Sequence, residues 1–162
     1  MSVTTDILQA WRSPRTVLRR HLRRGKSEPF AFSLLAAFLV LAFVSLWPFL
    51  SRQSLMQPEV PMLQRLVAAG LAILASIPFW YGLAAISRLI CKLLGGQGSF
   101  YAARLALFAA LLAVAPAMLL QGLVAGMIGP GRQLDLVAGL VGLGFLWIWF
   151  SMLAEAERGD AV

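Results

Sequence analysis

The sequence predicts an all-α integral membrane helical bundle, with four transmembrane helices preceded by a basic amphipathic N-terminal helix. Three observations predict it. Apolar residues make up 60% of the 162 and charged residues 13%, while mean hydropathy is +0.80. A soluble domain is roughly half apolar and a quarter charged. The apolar residues also fall into four blocks of twenty or more, long enough to cross a hydrocarbon core. Finally, half of the 14 Lys and Arg precede residue 29, so the net charge of +7 is concentrated in one arm. A basic arm beside an apolar span indicates anionic lipid head groups before nucleic acid. The chain divides into an arm at 1–28, a four-span domain at 29–154 and a short tail at 155–162.

The arm reads as two helices. Thr5 or Asp6 is the expected cap of a first one carrying Ile7, Leu8 and Trp11. Ser13 and Pro14 then look like an N-cap followed by proline at the first helical position. Val17, Leu18 and Leu22 share one stripe of the second helix, and Gly25 stops it. Arg12, Arg15, Arg19, Arg20, Arg23, Arg24 and Lys26 are the candidate head-group contacts. Long arginines on an amphipathic helix lying at the interface reach lipid phosphates. His21 sits among these arginines with no second ligand nearby, which argues against a metal.

The first span is expected at 29–50, retained rather than cleaved because it exceeds a signal-peptide apolar region. Trp47 anchors its far end, Pro48 weakens the last turn, and residues 51–61 form a loop. The second span, 66–87, has 22 residues without a formal charge, about 33 Å of helix against a core of about 30 Å. Pro78 should kink it. Cys91, the only cysteine, permits no internal disulfide. It reads as a small packing residue or, near a membrane boundary, a palmitoylation candidate.

Gly95, Gly96 and Gly98 break the chain between spans two and three, and Ser99 before Phe100 can cap the next helix. The third span, 105–128, is interrupted by Pro116, and its Gln121 should find a neighbouring helix or the far interface. The fourth span is 134–154. The arm and the turn region (Arg88, Lys92, Arg104) hold ten basic residues against three (Arg52, Arg65, Arg132) on the opposite side. Positive-inside orientation then puts both termini and the glycine turn in the cytosol.

Small residues recur at four-residue spacing: Ala109, Ala113 and Ala117; Gly122 and Gly126; Ala138 and Gly142. Such rows let helices approach closely, either within the bundle or against another membrane helix, self or hetero. The spans lack the ionisable groups that mark proton relays, apart from Asp135 at the start of the fourth. No residues group into a zinc set, a carboxylate pair or a serine with a base. The glycine turn lacks the Lys-Ser/Thr of a phosphate loop. The sequence therefore predicts no enzyme, no cofactor, no nucleic-acid partner and no small-molecule substrate.

The order of Ser13-Pro14-Arg15, Leu18-Arg19-Arg20, an apolar span, a second span ending in Leu93-Leu94-Gly95-Gly96-Gln97-Gly98-Ser99-Phe100, and a third carrying Pro116 resembles the bacterial branch of the Yip family. These are small multi-span membrane proteins named for interaction with Ypt/Rab GTPases. The resemblance covers roughly residues 10 to 155, and Gly95 to Phe100 is its most specific part. It implies about five spans, so that the last family helix is missing here. Eukaryotic members are linked to vesicle trafficking and membrane shaping, and bacteria have no Rab GTPases. What the resemblance implies for this chain is a non-enzymatic protein of the bacterial inner membrane with a membrane-organising or adaptor role. An accessory subunit of a respiratory or photosynthetic complex is the alternative, followed by a small transporter or pore.

Overall fold

A computed structural model describes residues 3–158. Residues 1–2 of the arm and 159–162 of the tail lie outside them. The described residues form seven helices and no strand: α1 Val3–Arg12, α2 Pro14–Leu22, α3 Glu28–Met56, α4 Met62–Ala75, α5 Ile77–Leu93, α6 Phe100–Met127 and α7 Arg132–Ala156. Four stretches are long and apolar enough to cross a membrane: α3, α4 with α5, α6, and α7. This is a multi-pass membrane architecture.

The core sits around one half of α6. Leu105 to Ala115 is buried without interruption, and Tyr101 to Ala103 is buried as well. A helix that is apolar all round has no natural solvent face and takes the centre. α3 and α7 pack on either side of it without touching each other, and α5 packs against a third side. α4 leans on α3 and has no buried residue. The rest of α4 faces the bilayer, where apolar side chains incur no penalty.

Ser99 caps α6 as expected, accepting from the Ala102 amide at 3.1 Å. Ser27, a cap the sequence reading did not name, accepts from the Phe30 amide at 3.4 Å to open α3. Gly25 has φ +86°, a left-handed conformation that glycine adopts without a Cβ clash. Ser13 stands at the cap position of α2 without making the side-chain bond, and Pro14 follows it in the first turn.

Several boundaries depart from the sequence expectations. α1 starts at Val3, so Thr5 and Asp6 lie inside it rather than capping it. α3 runs through Pro48 to Met56, taking in residues expected as loop. Arg52 explains the continuation, because its guanidinium bonds the carbonyls of Gly126 at 3.3 Å and Met127 at 3.2 Å, at the end of α6. α6 likewise continues through Pro116. That proline marks the end of the buried stretch instead of a break. The second span does divide near Pro78, at Ser76. There the Ser76 hydroxyl donates to the Ile73 carbonyl at 2.6 Å and accepts from the Trp80 indole at 3.1 Å. Of the two places expected for Gln121, a neighbouring helix or the far interface, its side chain makes no hydrogen bond to a neighbouring helix among the described residues, and it lies in the half of α6 away from the Ser99 cap.

Candidate functional site

The chemistry-bearing residues gather at one end of the bundle, where α3 and α6 begin and α5 and α7 end. The arm does not extend from this end as a free element. α1 and α2 form an antiparallel hairpin about Ser13, and it seats against α6 and α7. The pairing is visible in its charges. Asp6 lies seven residues before Ser13 and Arg20 seven after it. They meet at 2.7 Å, while Arg20 also donates to Gln9 at 2.9 Å.

The apolar stripe of the hairpin is used inside the protein. Ala10, Val17 and Leu18 are buried to 2% exposure or less. Trp11, though part exposed, donates its indole N–H to the Ala113 carbonyl at 2.9 Å, in the turn before Pro116. A carbonyl has a second lone pair to offer there. The edge of the Trp11 ring comes against Gly144 of α7, where a Cβ would lie within 2.6 Å of it. Two of the predicted small residues, Ala109 and Ala113, thus receive the hairpin. Gly122 and Gly126 receive α3, because a side chain at either would overlap the backbone of Ser45 or Pro48. Gly142 faces open space, Ala138 is half-buried, and so is Ala117.

Two carboxylates at the end of α7 tie the parts together. Glu155 is buried and accepts from Arg19 through Nε at 2.8 Å and Nη2 at 2.5 Å. Both bonds fall on Oε1, so a single carboxylate oxygen takes two charge-assisted donors. Glu157 holds the glycine turn: it accepts from the Gly98 amide at 3.0 Å and meets Arg88 of α5 at 3.2 Å. Each glycine of the turn has its own reason. Gly95 has φ +88°. A Cβ on Gly96 would overlap the Glu157 carboxylate, and one on Gly98 would approach the Ala156 carbonyl to 2.5 Å. Ser99 caps α6, and the Phe100 side chain is exposed. Arg104 pairs with Glu28 and joins the starts of α6 and α3.

These ties sort the seven basic residues that the sequence assigned to head groups. Arg19 and Arg20 are held by carboxylates. Arg24 stands over the Phe30 ring at 5.8 Å. Arg12, Arg15, Arg23 and Lys26 are exposed and have no acidic partner among the described residues. They form the free basic surface of this end.

His21, which the sequence argued against as a metal ligand, is the buried histidine of this end. It is 5% exposed and stacks at a tilt on Phe30, 5.3 Å between centroids. Nε2 faces Asp6 at 3.7 Å, and Nδ1 is buried without a partner. Burial pushes His21 below the usual histidine range; Asp6 opposes this, and Arg24 and Arg20 reinforce it. Glu155 and Glu157 were missed as site residues, being read as an ordinary polar tail. Their only signal was that two acids closed an apolar span opposite an arginine-rich arm.

The Yip1 domain family matches the chain over residues 8–158, from the hairpin to the end of α7. The chain belongs to the Yip family. No curated protein and no solved structure matches it. The family's extent gives the hairpin its place: residues 8–28 lie inside the Yip1 domain, and the structure packs them as part of the bundle. The same holds for the glycine turn, which in this Yip domain is the seat of Glu157.

Proposed function

We propose that this Yip-family chain is a non-enzymatic membrane-organising or adaptor protein, working through helix contacts and a lipid-contacting basic surface. It resides in a bacterial inner membrane with both termini cytosolic, the orientation favoured by its basic excess. One observation carries the reading. The hairpin turns its apolar stripe into the bundle and leaves Arg12, Arg15, Arg23 and Lys26 outside. Such a surface attracts anionic lipid at about 1 kcal/mol per basic residue.

Replacing these four residues by Gln tests it. Purification in a mild detergent followed by native mass spectrometry should show anionic lipid retained at least ~10-fold less than by the unaltered protein. Equal retention would sink the lipid-contacting role.

The accessory-subunit reading is supported by a separate feature. Gly139 and Gly142 of α7 face outward with nothing within 4 Å of a Cβ at either. A bare glycine face allows another membrane helix to approach closely. Co-purification of a partner that is lost on Gly142→Leu would favour this reading.

A further inference from the structure

Between the hairpin and the facing sides of α3 and α6 lies a cavity of about 60 Å³. One water needs roughly 10–15 Å³ of such space, so the cavity takes a group of several heavy atoms. Its walls are unlike one another. α1, α2 and the turn after α2 bring Asp6, His21 and Arg24 beside apolar residues such as Val17, whereas α3 and α6 bring only apolar side chains, among them Phe30, Leu34 and Ala109.

The polar side has an unpaired nitrogen and a cation to spare. Oδ1 of Asp6 is taken by Arg20, and its Oδ2 faces His21. Arg24 has no carboxylate partner among the described residues and is steadied by the Phe30 ring. The His21 Nδ1 is fully enclosed and unbonded. A buried polar atom without a partner costs about 1–3 kcal/mol, which a ligand can recover. Two guanidinium groups against one carboxylate leave the mouth positive. The Asp6 charge is already met by the Arg20 guanidinium, which leaves Arg24 as the uncompensated charge. An anionic oxygen at the mouth with hydrocarbon below describes one chemical class, an acidic amphiphile.

We propose that this cavity binds an anionic phospholipid, with its phosphate between His21 Nδ1 and Arg24 and the start of an acyl chain on Phe30, Leu34 and Ala109. The inference rests on the lipid-contacting reading above and gives it a particular site. The remaining cationic surface gathers such lipids without selecting one. The cavity selects one and holds it against the seam where the hairpin meets α3.

His21 is the only histidine in the chain, so its ring gives a single pair of resonances. The whole protein is placed in nanodiscs of phosphatidylcholine alone or mixed with phosphatidylglycerol, and His21 is titrated by NMR. A phosphate against the ring favours its charged form, so the midpoint should rise by ~1 pH unit or more with phosphatidylglycerol. Arg24→Gln should abolish that rise, and Lys92→Gln, which removes the same charge from this end of the bundle but away from the cavity, should leave it intact. No rise, or an equal rise in both variants, overturns the site, since the latter reports only bilayer surface potential. A rise produced by inorganic phosphate in phosphatidylcholine discs overturns the lipid as its source. Replacing Arg12, Arg15, Arg23 and Lys26 leaves His21 and Arg24 untouched. Loss of general lipid retention and loss of this site are therefore read separately.

Discussion

At the scale of single residues, the buried His21 makes the hairpin sensitive to acid. Its docked-state pKa lies below the usual value of about 6.5. Between those two values the undocked hairpin binds more protons, so docking strengthens as pH rises and weakens as pH falls below ~6.5. The loss stops once the docked form is itself protonated. Amide protection of α1 and α2 in zwitterionic nanodiscs, corrected for intrinsic exchange, should fall over this window and be flat above it. His21→Phe should remove the dependence; its persistence would assign it to another group. Only part of this was legible in the sequence. The surrounding arginines already disfavour a charged His21, but its burial against Asp6 and Phe30 depends on the hairpin and α3, which bring them to it.

At the scale of elements, glycine has opposite meanings in the turn and in α7. Gly98→Ala pushes a Cβ onto the Ala156 carbonyl, a backbone atom that cannot step aside. Overpacking of that kind costs about 1–3 kcal/mol, and the thermal unfolding midpoint in detergent should drop accordingly. Gly139→Ala meets nothing and removes a poor helix former from a helix interior. It should be neutral or stabilising by up to ~1 kcal/mol. Equal effects would undo the assignment of the turn to Glu157. The cap at Ser99, the stop at Gly25 and the division near Pro78 were readable because each depends on neighbours within a few positions. The passage of α3 through Pro48 was not, since Arg52 holds that end from 74 residues away.

At the scale of the whole molecule, the hairpin is a separable part seated on a four-helix frame. Trp11→Ala removes both the ring against Gly144 and the bond to Ala113. Exchange in α1 and α2 should speed up at least ~10-fold, while α6 and α7 keep their protection. Uniform acceleration would show instead that the arm and the frame unfold as one. Hydropathy made the four crossing segments legible, because lipid demands a long apolar run whatever it packs against. It did not reveal where the arm goes. An amphipathic stripe suits a bilayer surface and a protein groove equally well, and Val17 and Leu18 took the groove.

The position of Glu155 has a consequence in time. Arg19 is made 136 residues before the carboxylate that holds it. While the chain is being synthesised, the hairpin therefore has neither its carboxylate anchor nor the contact with Gly144. Its docking waits for α7, so the order of synthesis keeps the seat empty until late.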